Sequence, residues 1–276
     1  MERIKEAVER ARQERRSGGI GFGRATTQRP AQEAGIQDGL AKITYTKTRI
    51  IAVPRPTLKE KRIVSGFEPC AFTEAFKILS TQVSHKLREH HWTTLAVTSA
   101  HEGEGKTLVA INLAISLAME FQQTALLVEA DLRQPSVHDY FGLQPQPGLS
   151  DYLTADKPIE QLLIHPDIPR FVVLPAGTPQ LHSSEMLGWR KMSELVEELK
   201  RRYASRIVVF DLPPMLVSAD VLAFSPHIEA ALLVVEEGKT QRDDIRRAAE
   251  LLGSTHLIGS VLNKSDEPFV SAYGRY

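Results

Sequence analysis

The run TLAVTS (94–99) leads directly into AHEGEGKT, residues 100–107, which keeps the spacing of a phosphate-binding loop with Ala100 in place of the usual first glycine. Gly103 and Gly105 allow backbone N–H groups to turn inward around phosphate oxygens. A helix starting immediately afterwards adds its positive end. In such a loop Lys106 reaches the β and γ phosphates and Thr107 ligates Mg²⁺ through its hydroxyl. Ala100, His101, Glu102, Gly103, Glu104, Gly105, Lys106 and Thr107 are therefore the candidate ATP-binding residues. A phosphate held here could pass to water, to a partner protein or to tyrosines of the same chain.

Two acidic motifs follow the loop. In ALLVEADLRQP (125–135) an apolar run ends at Glu129 and Asp131, which share a side because residues two apart on a strand face the same way. In RIVVFDLPP (206–214) a second apolar run ends at Asp211, and two prolines then stop the strand. Carboxylates at strand ends beside a phosphate loop can order a Mg²⁺ shell or take a proton. Thr107, Asp131 and Asp211 are the candidate metal residues, and Lys106, Asp131, Asp211 and Glu129 the candidate catalytic ones. Asp220 is placed to support the metal shell or to cap a helix, and Arg133 to meet phosphate or pair with an acid.

These motifs need a frame. TLAVTS, TALLVEAD, RFVVLPAG, RIVVFDLPP, AALLVVEEG and HLIGSVLNK are short, β-branched, nearly continuous apolar runs. Such runs suit strands buried on both faces of a parallel sheet. Helical spacing is expected over 71–89, where Phe72, Phe76, Leu79, Val83 and Leu87 form a stripe, and over 107–121, 185–203 and 241–253. The alternation predicts an α/β fold, a doubly wound and mainly parallel sheet flanked by helices, with ligands beyond the carboxyl ends of its strands. Residues 1–65 read as a charged N-terminal helix and flexible linker containing a short strand within KITYTKTRIIAVPRP, residues 66–265 as the catalytic domain and residues 266–276 as a tail.

Composition narrows the function. Lysine plus arginine and aspartate plus glutamate stand at 34 each, so no net charge favours nucleic acid. The single cysteine, Cys70, excludes an internal disulfide and any multi-cysteine site on this chain, including the paired cysteines of iron–sulfur carrier ATPases. No stretch approaches the roughly 18 to 20 apolar residues of a membrane span. The charged start has no apolar core of a signal peptide. A cytoplasmic protein is expected.

With these residues in view, the sequence resembles the bacterial tyrosine kinases, the P-loop autokinases that regulate capsule and exopolysaccharide export. Lys106, Asp131 and Asp211 match the Walker A, A′ and B set. EAFKILSTQ, VEADLRQPSVHDYFGL, GLSDYLT, VLPAGTP, SSEMLGWRKMSELVEELKRRY, FDLPPML, LLVVEEGKT and GSVLNK match in order over about residues 66–265. The resemblance implies a partitioning-ATPase-like P-loop NTPase fold, ATP and Mg²⁺ as cofactors, and Asp131 helping to deprotonate an acceptor tyrosine. It implies adenine contact by Asn263 and autophosphorylation of Tyr273 and Tyr276 in the tail, between molecules. It also implies a membrane-embedded polysaccharide co-polymerase as activating partner, recruitment to the inner membrane face, and self-association.

Three departures stand out. Glu129 replaces an aspartate, which keeps the charge but moves it by about one bond length. The assembly pattern Glu-x-x-Arg-x-x-Arg reads Glu74, Lys77 and Ser80, and so lacks the arginine forks. The tail holds two tyrosines rather than a cluster. The rival readings are a partitioning or positioning ATPase switch and a catalytically weak nucleotide-binding adaptor. The switch needs a signature lysine early in the loop, where Ala100, His101 and Glu102 stand.

Overall fold

The apolar runs pair side by side in an order that brings three carboxylates together at the carboxyl ends of two central strands. The computed structural model describes residues 48–67, 70–120, 123–202, 206–253 and 255–265. Eight strands form one sheet: β1 (Arg49–Ile50), β2 (Thr94–Ser99), β3 (Thr124–Glu129), β4 (Ile164–His165), β5 (Phe171–Leu174), β6 (Arg206–Asp211), β7 (Ala230–Glu236) and β8 (His256–Asn263). Their order is β1-β4-β5-β3-β6-β2-β7-β8, parallel throughout except for the antiparallel β4–β5 pair. The register sets Glu129 of β3 opposite Asp211 of β6, and Asp211 opposite Val97 of β2, three residues before the loop segment begins at Ala100.

Ten α-helices are described: α1 (Arg55–Glu60), α2 (Ala71–Glu89), α3 (Lys106–Met119), α4 (Val137–Tyr140), α5 (Leu149–Ala155), α6 (Ile159–Leu162), α7 (Ser183–Leu187), α8 (Arg190–Arg202), α9 (Asp220–Phe224) and α10 (Arg242–Leu252). The helix expected over 185–203 is two helices, α7 and α8, separated at Gly188 and Trp189. Both faces of the sheet are covered. Leu126, Val128, Phe210 and Phe224 pack with Leu195 and Leu199 of α8 on one side. Leu127 and Val209 pack with Ile111, Leu113 and Ile115 of α3 on the other. α3 reads apolar almost all round, as a helix enclosed by protein should, and its buried positions run nearly unbroken from Val109 to Ala118. In α2 the stripe is only partly right. Val83 and Leu87 are buried, whereas Phe72 is turned outward and 66% exposed.

The stretch expected as linker is packed over its last part. β1 pairs with β4, α1 buries Leu58, and Val53 and Ile63 join the core beneath α3. One side chain fastens this segment. Asn112 on α3 accepts from Val64 N (3.0 Å) and Ser65 N (3.2 Å) through Oδ1, and Nδ2 donates to Arg62 O and Leu108 O at 3.1 Å each. Replacing it strands two amides and a carbonyl of the 62–65 segment in the interior, each costing of order 1–3 kcal/mol. Asn112→Ala should therefore lower unfolding free energy by about 3 kcal/mol in urea titrations. A loss under about 1 kcal/mol would show that the segment is held elsewhere.

Candidate active site

The phosphate loop hangs from a strand buried over its whole length. Gly103 (φ 78°) and Gly105 (φ 93°) adopt the left-handed conformation that lets the backbone turn back on itself before α3 begins at Lys106. Gly105 is required for a second reason: a Cβ there would lie 2.2 Å from Asn263 Nδ2. The loop is braced from inside by Glu104, which is 1% exposed. Its carboxylate accepts from His101 N (3.1 Å) and from Thr240 Oγ1 (2.5 Å). Its carbonyl accepts from Asn263 Nδ2 (2.8 Å), and Lys264 Nζ donates to Gly103 O (2.7 Å). His101 Nε2 meets Asp244 Oδ2 of α10 at 3.0 Å.

Lys106 stands among the acids that the register collects. Its Nζ lies 2.8 Å from Asp131 Oδ2 and 3.7 Å from Asp211 Oδ1, and it donates to Thr107 Oγ1 at 3.2 Å. Burial acts to lower the Lys106 pKa, but Asp211 and Asp131 outweigh it, so the ammonium is held more firmly charged than usual. Asp211 is fully buried, and among the described residues neither oxygen has a hydrogen-bond partner within 3.5 Å, although the Thr107 hydroxyl lies close enough to help lower its pKa. Burial lifts its pKa to about 7 against the pull of Lys106. Two orphaned oxygens beside a threonine hydroxyl suit an oxygen-seeking cation such as Mg²⁺, with Thr107 and Asp211 as its protein side. Among the described residues no group of three or more His, Cys, Asp or Glu forms a protein-only cage. Mg²⁺ sites completed by substrate phosphates do not require one.

Glu129 is turned to a different task. Oε1 accepts from Ser136 N (2.5 Å) and Val137 N (2.7 Å), and Oε2 from Ala176 N (2.9 Å). Burial raises its pKa and the three amides lower it, leaving it above the ordinary carboxylate range. Its oxygens thus clamp the start of α4 to the turn after β5. Asp131 caps the turn after β3, accepting from Gln134 N at 3.1 Å through the oxygen that Lys106 does not touch.

The other expected residues fall as follows. Asn263 touches the loop backbone, as described above. Asp220 is the first residue of α9 rather than its cap, and Arg133 Nε donates to it at 3.3 Å. Tyr140 and Tyr152 are part-buried and pack against the two cores. Glu74 pairs with Lys77 of its own helix at 3.2 Å, and Ser80 bonds back to Lys77 O. Tyr273 and Tyr276 lie outside the described residues. Thr240, Asp244 and Lys264 were not expected from sequence. The runs EEGKT and VLNK were visible, but not that their ends meet the loop.

No family model matches the chain. The tyrosine-protein kinase YwqD of Bacillus subtilis is 29% identical over 225 residues, 80% of this chain and 94% of that one. The succinoglycan biosynthesis transport protein ExoP of Rhizobium meliloti is 30% identical over 226 residues, 80% of this chain but only 28% of that much longer protein. Among solved structures, the kinase domain of the Escherichia coli tyrosine kinase ETK matches with a TM-score of 0.64 at 26% identity, covering 73% of this chain and 80% of that one. The septum site-determining protein MinD of Pyrococcus horikoshii, solved with Mg-ADP, matches with a TM-score of 0.53 at 22% identity over 63% and 72%, a likeness of fold alone. The chain is therefore similar to bacterial tyrosine-protein kinases in sequence and in structure, as its motif order implied.

Two outcomes test this geometry. A carboxyl group with a pKa of about 7 is roughly one-tenth ionised at pH 6 and nine-tenths at pH 8, and only the ionised form holds a cation. Mg-ADP affinity measured by calorimetry should strengthen by about tenfold between those values and flatten in Asp211→Asn, whereas equal slopes would remove Asp211 from the site. Glu129→Asp cannot span the amides at 136, 137 and 176, and should lose about 2 kcal/mol in chemical denaturation. Unchanged stability would mean that the clamp is dispensable.

Proposed function

We propose that the chain is a Mg-ATP-dependent protein-tyrosine kinase of exopolysaccharide or capsule production that phosphorylates its own tail on Tyr273 and Tyr276, from one molecule to another. The observation that carries this is the set of contacts made by Lys106 with Asp131, Asp211 and Thr107 at the mouth of a phosphate loop. The similarity to YwqD and ETK supplies tyrosine as acceptor, and the similarity to ExoP supplies the polysaccharide context.

The residues divide the work. The loop amides and Lys106 would cradle the β and γ phosphates of ATP, and Thr107 and Asp211 would hold Mg²⁺, whose charge would neutralise those phosphates. Moving Lys106 onto phosphate frees Asp131 Oδ2, the oxygen it now occupies. A tyrosine hydroxyl, with a pKa of about 10, must lose its proton as it attacks, and Asp131 is the carboxylate placed to take it. The tyrosine oxygen–phosphorus bond forms, the bond from the γ-phosphorus to the bridging oxygen breaks, and ADP leaves with that oxygen. Glu129 and Asn263 act as positioning residues through the backbone they hold.

A membrane-embedded co-polymerase is the partner proposed to activate the kinase and bring it to the inner membrane face. No helix among the described residues is long and apolar enough to cross a membrane. The lysine that a partitioning-type switch requires is missing from its place, where His101 is instead tied to Asp244.

Lys106→Met should abolish ATP-dependent tyrosine labelling while the chain stays folded, and retained labelling would refute the site. Deleting residues 266–276 should remove most of the label mapped by mass spectrometry yet leave Mg-ADP binding intact. Label persisting on Tyr140 or Tyr152 would exclude the tail as acceptor. Mixing Lys106→Met chains with tail-deleted chains should label the former if transfer runs between molecules.

A further inference from the structure

One edge of the last strand is unused. β8 pairs with β7 on one side, and among the described residues no strand pairs with its other edge. The strand is eight residues long, and HLIGSVLN contains no Asp, Glu, Lys, Arg or Pro. Open edges are ordinarily blunted by such residues, or by a bulge, because unpaired N–H and C=O groups recruit other strands. Only the bulge is present here, at Ile258, where the register with β7 shifts between Ala231 and Leu232. On either side of it, Leu257 is 37% and Leu262 58% exposed.

The bulge decides which residues share a face. Leu257 lies beside Ala231 and Leu262 beside Val235, and both neighbours belong to the core that includes Leu195 and Leu199 of α8. Side chains in register across a sheet point to one face, so the two leucines do as well, although an odd number of positions separates them. Their backbones agree. His256 N donates to Glu229 O (3.4 Å) and Asn263 O accepts from Glu237 N (3.0 Å), so these two residues turn inward. Leu257 and Leu262, each next to one of them, turn their N–H and C=O outward. A Cβ on Gly259 would meet nothing within 4 Å, so the middle of the edge is open too.

We propose that β8 pairs antiparallel with β8 of a second copy of this chain, about a two-fold axis at Ser260. With the bulge counted as one position, this register sets Leu257 of each copy against Leu262 of the other, and His256 against Asn263. Two leucine pairs then cover on one face what each copy alone leaves in water, and the outward N–H and C=O groups of both strands find partners. A two-fold contact needs a patch that complements itself, and this strand does so at both ends. A net charge of zero gives two copies no overall repulsion. The phosphate loops, tied to Asn263 and Lys264, fall at opposite ends of the joined sheet, so neither nucleotide site is covered. One strand edge buries less than the roughly 800 Å² per partner of a stable interface, so the dimer is weak and concentration-dependent. None of this rests on the kinase reading.

Sedimentation velocity of the full chain from about 1 to about 200 μM should show a monomer–dimer equilibrium with a dissociation constant of order 10–100 μM. Leu257→Lys and Leu262→Lys should each weaken it at least about tenfold. Circular dichroism and Mg-ADP affinity should stay unchanged, because both side chains are exposed. The double variant Leu257→Lys/Leu262→Glu should dimerise again, since each introduced lysine meets the other copy's introduced glutamate, whereas Leu257→Lys/Leu262→Lys should stay monomeric. Chains lacking residues 266–276 should dimerise like the full chain. A monomer at about 200 μM, or a dimer indifferent to both single lysines, overturns the proposal. So does an opposite-charge double variant no better than the single ones, which would exclude the antiparallel register. A dimer lost with residues 266–276 would give the edge to the tail instead, and an assembly larger than a dimer that neither lysine disturbs would place the contact elsewhere. Either result also overturns it.

Discussion

A single ammonium group, that of Lys106, has to answer for the carboxylates that the sheet brings together at the ends of β3 and β6. The register of those strands sets Glu129 opposite Asp211 and carries Asp131 just beyond. In a buried setting, unpaired carboxylates are expensive, and each is dealt with differently. Glu129 spreads its charge over three backbone amides. Asp131 divides its oxygens between Lys106 and a turn amide. Asp211 has neither remedy, and burial moves its pKa to about 7. The site is thus short of positive charge, and a divalent cation on the Asp211 side would supply what is missing.

Around that core runs a second layer that holds the loop rather than the phosphate. Glu104, His101 and the carbonyls of Gly103 and Glu104 are tied to Thr240, Asp244, Lys264 and Asn263, which belong to the turn after β7, to α10 and to the end of β8. The strand that leads into the tail is therefore hydrogen-bonded to the nucleotide loop at its last residues.

The legible parts of the sequence were those where burial on both faces leaves a continuous apolar run. β2, β3, β5, β6, β7 and β8 all read this way, and the loop that leads into Lys106 and the acids at or just past the ends of β3 and β6 could be placed from them. β4, two residues long and antiparallel, has no such run. α1 is masked by charge and a proline, since only Leu58 of its six residues is buried. The long helix over 185–203 hid a break at Gly188 and Trp189, because helical periodicity continues across it. The role of Glu129 was beyond reach for another reason. Spacing gives a carboxylate a face, but only the fold shows that the amides of Ser136, Val137 and Ala176 converge on it. Asn112 reads as one polar residue in an apolar helix, and its partners at Arg62, Val64 and Ser65 lie 47 to 50 positions away.

In the proposed reaction Lys106 exchanges its carboxylate partners for phosphate, which opens Asp131 to the acceptor proton and Asp211 to the cation. A crystal structure with Mg²⁺ and a non-hydrolysable ATP analogue tests this directly. Lys106 Nζ should lie on the β and γ phosphate oxygens, away from its present 2.8 Å contact with Asp131, and the ion should lie on the Thr107 and Asp211 side. An analogue bound with the Lys106–Asp131 contact intact, or an ion held by Glu129, would contradict it.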